Sequence, residues 1–379
     1  MRKVNSMNAK NFEIISKRRT DPVGFPDIKD FELHASGQID AGIIPANPSI
    51  TLYALDFENG EAVFVETASP AVLSHAPFYY QAQYEHTVRV LTTSFETMIQ
   101  LAQSVTVADN KLVFIHSMGR SGSTLASQIF AQVPGVINMS EPDVLTQLVA
   151  ARFMQPDKHT ELKMLLNASI RLLCKTPVQT AWVIKGRSFV IELGDWLNEF
   201  YPHTKNLYLY RDAESWTKSN LSAFMDETRT TTDQLFQYEN ETRGWMQLFV
   251  PAIARYNPDQ HLSATGLVTL LWLSNMERYT ELHKAGIEML AIPYSSWKLD
   301  PRRTALAMLD HCGCVPDDLT TIEETLTKDS QAGSSISQDA VKKKTTTSQI
   351  FDPAELKRHL QSHAYLQTTD FEAANTLEL

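Results

Sequence analysis

The stretch Lys111-Leu-Val-Phe-Ile-His-Ser-Met-Gly-Arg-Ser-Gly-Ser-Thr-Leu125 decides how this chain folds. Its first five residues form an apolar run, which is typical of a buried strand. From Leu125 to Val133 the apolar residues recur at helical spacing, and a loop rich in glycine and serine lies between the two patterns. The sequence therefore predicts a strand, a tight loop and a helix in direct succession.

The loop has the composition of an anion-binding site. Gly119 and Gly122 permit a backbone whose amides turn inward, because neither residue has a Cβ atom in the way. Amides at a helix N-terminus attract an anion through hydrogen bonds and through the helix dipole. Arg120 adds a cation, and Ser123 and Thr124 add hydroxyl donors. The alternative is a Gly/Ser turn that binds no ligand.

The loop lacks one feature of ATP and GTP phosphate loops. Those loops carry Gly-Lys-Ser/Thr, and the hydroxyl binds magnesium. No lysine stands at that place here, and no clear apolar strand ends in an Asp suited to hold the metal. We therefore expect a phosphate that is bound without a metal ion.

Strands and helices are predicted to alternate from residue 111 onward. The strands cover 111–115, 136–139, 182–184, 206–210 and 287–293, and the helices cover 160–174, 189–200, 232–256, 264–285 and 301–312. Such alternation is typical of right-handed βαβ units. The predicted fold class is a three-layer α/β fold of P-loop type, with a central, mostly parallel sheet flanked by helices. Ligands of such sheets bind beyond the carboxyl ends of the strands.

Residues 1–105 are predicted to form a small β-containing N-terminal appendage. A hairpin is expected from strands at 50–57 and 61–67, joined by the turn Glu58-Asn59-Gly60. A helix is expected over 86–104. The rest of the chain, 106–379, is predicted to be one domain, with a loop or lid near 325–349 that is rich in Ser, Thr and Lys.

Composition limits the partners. The 379 residues include 34 Lys and Arg against 44 Asp and Glu, a net charge of -10 that argues against nucleic acid or an anionic membrane as partner. No apolar stretch approaches the roughly 20 residues that span a bilayer, and the first thirty residues lack the apolar core of a secretion signal. Three cysteines do not suggest a disulfide framework. We expect a soluble, cytoplasmic protein.

Residues 120–124, Arg-Ser-Gly-Ser-Thr, resemble the phosphate loop of the sulfotransferase family, Arg/Lys-Ser-Gly-Thr/Ser-Thr. The family transfers a sulfuryl group from 3′-phosphoadenosine 5′-phosphosulfate (PAPS) to an alcohol, amine or phenol. The family's second motif is a strand that ends in Arg, followed eight residues later by a Ser, and it holds the 3′-phosphate. Arg211 and Ser219 match that spacing, and an Arg fork suits a phosphate. The alternative for Arg211 is a salt bridge to Asp212 or Glu214.

The resemblance also implies which residues bind PAPS and which act on it. The implied PAPS-binding residues are Gly119, Arg120, Ser121, Gly122, Ser123, Thr124, Arg211 and Ser219. Tyrosylprotein-type and several bacterial members use a Glu base at the place of Glu141, whose alternative role is that of a carboxylate near a helix start. Asp143 is expected to be the helix cap. Lys185, at a strand end, would reach the sulfuryl or bridging oxygen, and with Arg120 it would neutralise the developing charge.

The resemblance also raises questions about three further residues: Arg187, His116 and Tyr294. Arg187 stands where the cytosolic branch has its histidine, so the sequence resembles the bacterial and tyrosylprotein-like branches. His116 is a reserve candidate for the base, although a histidine that ends a buried strand is more often structural. Tyr294 either stacks on the adenine or packs in the core, and we expect the core.

The resemblance implies a PAPS-dependent sulfotransferase of the EC 2.8.2 type, which acts by in-line displacement on a hydroxyl or amine of a small-molecule acceptor. PAPS would be the co-substrate, and no metal is expected. Two alternatives stay open, a metal-dependent small-molecule kinase and a non-catalytic nucleotide-binding scaffold. The sequence indicates neither the acceptor nor the oligomeric state, and it leaves open the role of residues 1–105 and the contacts of the loop at 329–337.

Overall fold

The computed structural model describes residues 7–19, 24–74, 76–224, 239, 241, 243–254, 262–331 and 350–379. Within them, ten strands form two five-stranded sheets. The strands are β1 Asn8–Lys17, β2 Phe31–Asp40, β3 Ile50–Asp56, β4 Glu61–Thr67, β5 Thr87–Ser94, β6 Leu112–Ser117, β7 Val136–Ser140, β8 Ala181–Lys185, β9 Lys205–Tyr210 and β10 Leu290–Pro293.

The helices follow in chain order. They are α1 Ile43–Ala46, α2 Ala71–Ser74, α3 Tyr79–His86, α4 Phe95–Ala102, α5 Ser123–Phe130, α6 Val144–Met154, α7 His159–Leu173, α8 Gly194–Phe200, α9 Ala213–Phe224, α10 Pro251–Ala254, α11 Ala264–Lys284, α12 Tyr294–Leu299, α13 Pro301–His311, α14 Leu319–Thr327 and α15 Pro353–Ser362. Short 3-10 helices cover Ile28–Asp30, Asp109–Lys111, Pro156–Lys158 and Ser188–Leu193. None of the helices in these described ranges is long and apolar enough to cross a membrane.

The N-terminal sheet is antiparallel, with strand order β2-β1-β5-β4-β3. Its β3–β4 hairpin confirms the predicted one, with Asp56 paired to Glu61 across the turn. The helix predicted over 86–104 is wrong in its first half, because Thr87–Ser94 forms β5. That segment is rich in β-branched residues, and it pairs with β1 on one side and with β4 on the other.

The second sheet has the order β10-β9-β6-β8-β7. The pairs β7–β8 and β9–β10 are parallel. Every residue of β6 and of β8 is buried, as expected of strands that are covered on both faces. The predicted α/β fold class is confirmed, since helices flank a central parallel sheet and the N-terminal residues form a further, antiparallel sheet.

Several predicted boundaries differ from the observed ones. The helix expected over 189–200 begins as the 3-10 helix Ser188–Leu193, and the last predicted strand is limited to Leu290–Pro293. Of the helix predicted over 232–256, residues 232–238, 240, 242, 255 and 256 lie outside the described residues, and the described part includes α10 Pro251–Ala254. Of the loop predicted over 325–349, the first three residues complete α14, and residues 332–349 lie outside the described part of the chain.

The chain divides into two compact units. The first comprises residues 1–113, 134–186 and 196–204, and the second comprises 114–133, 187–195 and 205–379. The boundary expected near residue 105 stays a prediction.

In the second unit, the C-terminal segment extends the edge of the parallel sheet. The amide of Leu377 donates to the carbonyl of Ala291 in β10 at 2.8 Å, and the amide of Ala213, at the start of α9, donates to the carbonyl of Thr369 at 2.8 Å. The Tyr210 hydroxyl, in β9, lies 2.9 Å from the Thr376 hydroxyl. Thr369 and Thr376 therefore bond the residues that precede and follow the turn at Arg211, namely Tyr210 and Ala213.

Candidate functional site

The predicted anion-binding loop lies between β6 and α5 in a left-handed backbone conformation. The φ angles are 70° at Gly119, 47° at Arg120 and 90° at Gly122. Glycine adopts this conformation without steric cost, whereas for Arg120 it is strained by about 1–2 kcal/mol. Successive residues of this kind curl the backbone amides into a concave surface that suits an anion.

Three hydrogen bonds within the second unit hold the loop. The amide of Met118 donates to the carbonyl of Leu209 at 3.3 Å, and the hydroxyl of Ser121 donates to the same carbonyl at 3.0 Å. The indole of Trp216 donates to the carbonyl of Gly119 at 2.9 Å. Ser121 is fully buried, so its hydroxyl serves the loop's shape, and its predicted ligand contact would come from its backbone amide.

Helix α5 begins directly after the loop. Gly122 is its N-cap, and no side chain caps the helix there. The amides of the first turn have no acceptor within the helix, and they point toward the concave loop together with the dipole's positive end. Ser123 and Thr124, in that first turn, are buried. The local geometry therefore fits the predicted role of these residues in holding a phosphate.

Helix α9 connects the two predicted phosphate motifs, because each arginine bonds one of its serines. The Nε atom of Arg120 donates to Ser219 Oγ at 3.2 Å, and that of Arg211 donates to Ser215 Oγ at 2.7 Å. The serines are four residues apart and so share one face of the helix. Arg211 Nη1 also donates to the carbonyl of Arg120 at 3.5 Å. The two motifs therefore meet within the second unit.

Arg120 and Arg211 are both partly buried. Burial lowers the pKa of both Arg120 and Arg211, and the charge of Arg211 lowers that of Arg120 further. Arginine nevertheless stays protonated in proteins. Two partly desolvated cations next to one another cost free energy in the ligand-free protein, and a phosphate bound between them would offset that cost.

Gln331 also belongs to this group of residues. Arg120 Nη1 donates to its Oε1 at 2.6 Å, and its Nε2 donates to the hydroxyl of Thr124 at 3.5 Å. The loop predicted at 329–337 thus reaches the phosphate loop through its third residue, and residues 332–337 lie outside the described ranges. One amide side chain contacts both the cation and the hydroxyl that would hold the anion.

The ring of Tyr294 lies beside the same arginine. The Arg211 guanidinium carbon is 4.5 Å from the ring centre, and the ammonium nitrogen of Lys298 is 5.2 Å from it. Tyr294 is half-buried, so the expectation that it packs in the core is wrong. Its electron-rich face instead supports Arg211 at the site.

Gly122 offers a direct test of the loop's conformation. A Cβ atom there would lie 3.1 Å from Cδ1 and 3.2 Å from Nε1 of Trp297, in a residue whose φ is 90°. We expect Gly122→Ala to reduce the free energy of unfolding by about 1–3 kcal/mol, since strain and crowding act together. Denaturant unfolding followed by tryptophan fluorescence measures this change.

Gly60→Ala is the matched control for that substitution. Gly60 has a φ of 67°, and a Cβ atom there would meet nothing within 4 Å. It shares the backbone strain without the crowding. Equal losses of stability in the two variants would contradict the steric role of Trp297.

The predicted catalytic pair lies in the first unit, where β7 and β8 run side by side. Ser140 pairs with Lys185 in register, and the amide of Glu141 donates to the carbonyl of Lys185 at 2.6 Å. The ammonium of Lys185 forms an ion pair with the Glu141 carboxylate, and only 4% and 14% of these side chains is exposed. A desolvated carboxylate and an ammonium in contact can accept a proton and stabilise negative charge.

Glu141 has an unusual backbone. Its φ is 63°, a left-handed conformation that costs a non-glycine residue roughly 1–3 kcal/mol and that clusters at functional sites. Asp143 occupies the N-cap position of α6 as predicted, but its side chain makes no capping hydrogen bond, and it is buried. The carboxylate at 141 is therefore the more exposed of the two.

His116, the reserve candidate for the base, and Arg187 both lie in the second unit. His116 is 3% exposed. Burial lowers its pKa to about 4, the charge of Arg278 adds to the shift, and a hydrogen bond with Asn206 opposes it. His116 is therefore a neutral core residue. Arg187 is buried and precedes the 3-10 helix Ser188–Leu193 as its N-cap residue.

Sequence reasoning missed Ser215 and Gln331. Ser215 stands four residues after Arg211, and one helical turn of spacing could have identified it. Gln331 is 211 positions from the arginine that it contacts, so no local pattern indicates it.

No protein-family model matches the sequence, and no curated protein matches it. Among solved structures, the chain is similar to the sulfotransferase STF1 from Mycobacterium tuberculosis H37Rv, with 14% identity, a TM-score of 0.40 and coverage of 65% of this chain and 81% of that chain. It is similar to the sulfotransferase domain from the curacin biosynthetic pathway, with 15% identity, a TM-score of 0.40 and coverage of 65% and 94%. It is also similar to mouse sulfotransferase SULT7A1 complexed with PAP, with 12% identity, a TM-score of 0.37 and coverage of 68% of this chain and 84% of that chain. All three of these structures are of sulfotransferases.

Proposed function

We propose that the protein transfers a sulfuryl group from PAPS to a hydroxyl or amine of a small-molecule acceptor. The observation that carries the proposal is the convergence of Arg120 and Arg211 on the two serines of α9, directly beside the left-handed phosphate loop. Two partly buried guanidinium groups next to a helix N-terminus suit a nucleotide with phosphates at two positions.

In this proposal the second unit binds the nucleotide. The amides of residues 119–124, with the hydroxyls of Ser123 and Thr124, hold the 5′-phosphosulfate. Arg211 holds the 3′-phosphate with Ser219, and Ser215 orients the guanidinium through its 2.7 Å hydrogen bond. Arg120 neutralises charge between the two groups, and Gln331 gives up its contact with Arg120 when the nucleotide binds.

Glu141 is the proposed base. It takes the proton from the acceptor hydroxyl or amine as the new bond to sulfur forms, and the bond from sulfur to the 5′-phosphate oxygen breaks at the same time. The products are the sulfated acceptor and 3′,5′-ADP, and the proton stays on Glu141. Lys185, now beside a neutral carboxyl group, stabilises the negative charge on the sulfuryl oxygens or on the leaving oxygen.

A calorimetric titration tests the nucleotide assignment. We expect 3′,5′-ADP to bind the full chain in the presence of EDTA, because arginines and backbone amides need no metal to hold a phosphate. ATP with magnesium should bind more weakly, since the loop lacks the lysine that contacts the β- and γ-phosphates.

Each of the other results would indicate a different function for the protein. Failure of 3′,5′-ADP to bind, with tight binding of ATP and magnesium, would replace the proposal by a kinase. Binding of 3′,5′-ADP without sulfuryl transfer to any of a panel of phenols, alcohols and amines would indicate a nucleotide-binding scaffold.

A further inference from the structure

The left-handed backbone of Glu141 needs restraints that hold it. A conformation that costs roughly 1–3 kcal/mol persists only where the surrounding structure enforces it. The amide of Glu141 and its carboxylate are both bound to Lys185, on β8. Further restraints act on the residues before and after it, and they come from the N-terminal part of the first unit.

The first restraint acts one residue before Glu141. The hydroxyl of Ser140 donates to the carbonyl of Pro77 at 2.8 Å, and Ser140 is 2% exposed. The side-chain amide of Asn138, two residues earlier on the same strand, donates to the carbonyl of Ser74 at 3.5 Å. Ser74, the last residue of α2, and Pro77, two residues before α3, are therefore bonded to the end of β7 where the chain turns into Glu141.

The second restraint acts six residues after Glu141. Gln147, on α6, accepts a hydrogen bond from the amide of Leu55 at 2.9 Å. Its side-chain amide donates to the carbonyls of Leu55 at 3.4 Å and of Pro26 at 3.0 Å. A single side chain thus bonds α6 to strand β3 and to the segment that precedes the 3-10 helix Ile28–Asp30.

We propose that the N-terminal part of the chain positions the base, and that Ser140 and Gln147 are the positioning residues through which it acts. The proposal rests on the proposed role of Glu141 as the base. It assigns a task to the first hundred residues, which hold none of the phosphate-binding groups. Ser140 and Gln147 enclose the turn from Glu141 to Asp143, so they set where the carboxylate lies when the acceptor arrives.

Ser140→Ala is the variant that tests this. It removes one hydroxyl and leaves Glu141, Lys185 and the phosphate loop unchanged. We expect kcat for sulfuryl transfer to fall about 10-fold, because a small displacement of a catalytic group is costly, with an unchanged Kd for 3′,5′-ADP. Ser140→Thr keeps a hydroxyl and should recover most of kcat. Gln147→Ala should likewise lower kcat and leave the Kd for 3′,5′-ADP unchanged.

Ser169→Ala is the matched control. The buried Ser169 hydroxyl donates to the carbonyl of Leu165 at 2.7 Å, within α7, so the control loses a comparable bond that does not touch the Glu141 turn. It should leave kcat unchanged. Equal kcat values for Ser140→Ala and Ser169→Ala would overturn the proposal, and so would equal losses of nucleotide affinity and kcat in Ser140→Ala. The proposed function fails separately, if the wild-type chain does not bind 3′,5′-ADP.

Discussion

Arg211→Ala is expected to weaken the binding of 3′,5′-ADP by about 100-fold, since the loss of a charge-assisted contact to a phosphate costs about 1.5–3 kcal/mol. Adenosine 5′-phosphosulfate, which has no 3′-phosphate, should bind the variant about as well as it binds the wild type. The expectation follows from the position of Arg211, with Ser215 on one side and the ring of Tyr294 on the other. Calorimetric titration of both nucleotides measures the difference.

Two further variants sharpen this result. Arg211→Lys keeps the charge but not the planar fork, so it should recover only part of the affinity. Lys218→Ala, on the same helix, removes a half-exposed cation that pairs with Glu214, and it should change neither affinity. If Arg211→Ala lost affinity equally for both nucleotides, Arg211 would not have its proposed role as a ligand of the 3′-phosphate.

The sequence was sufficient for the backbone of the phosphate site because its motifs are short and local. A buried strand followed by Gly119 and Gly122 predicts a turn before a helix, and the structure has both glycines at positive φ. The left-handed conformation of Arg120 was not predictable, because no residue type demands it there. It depends on tertiary hydrogen bonds of its two neighbours, from the Ser121 hydroxyl to the carbonyl of Leu209 and from the Trp216 indole to the carbonyl of Gly119.

The partners of the two arginines were beyond sequence reasoning. The resemblance makes Arg211 and Ser219 joint ligands of one phosphate, which stays a prediction. In the structure Arg120 bonds Ser219, and Arg211 bonds Ser215. Which serine meets which arginine depends on side-chain rotamers, and those depend on packing. The motif therefore could not indicate which serine of α9 each arginine contacts.

The error in the N-terminal sheet has a similar physical origin. The segment 86–104 was predicted as one helix, but Thr87–Ser94 is a strand with neighbours on both sides. Those neighbours, β1 and β4, stand far away along the chain. Pairing across a sheet can decide the state of a segment whose local pattern allows both.

The Glu141–Lys185 ion pair could likewise not be predicted from local sequence, because it depends on the pairing of two strands. The two residues are 44 positions apart, and they meet because β7 and β8 align Ser140 with Lys185. The sequence gives each of them a role by resemblance alone. Their contact suggests that the two roles are coupled, since a charge on one changes the free energy of the other.

Glu141→Gln follows as the second variant with a large expected effect. The amide has the shape of the carboxylate but cannot accept the proton, so kcat for sulfuryl transfer should fall about 10²–10⁴-fold. The Kd for 3′,5′-ADP should not change, because Glu141 is not among the proposed nucleotide ligands. Single-turnover assays with PAPS and an accepted phenol or alcohol measure the loss.

Because Glu141 is also part of an ion pair, Glu141→Gln should lower stability as well as kcat. Comparing the two losses shows whether the fall in kcat comes from the missing base or from the weakened fold. Glu141→Gln leaves the buried ammonium of Lys185 without its carboxylate, and removal of one partner of a buried pair destabilises a protein by about 3–5 kcal/mol. The double variant Glu141→Gln with Lys185→Met removes both charges, so it should recover most of that stability and none of the turnover. Recovery of turnover along with stability would mean that Glu141 holds the fold and that another group takes the proton.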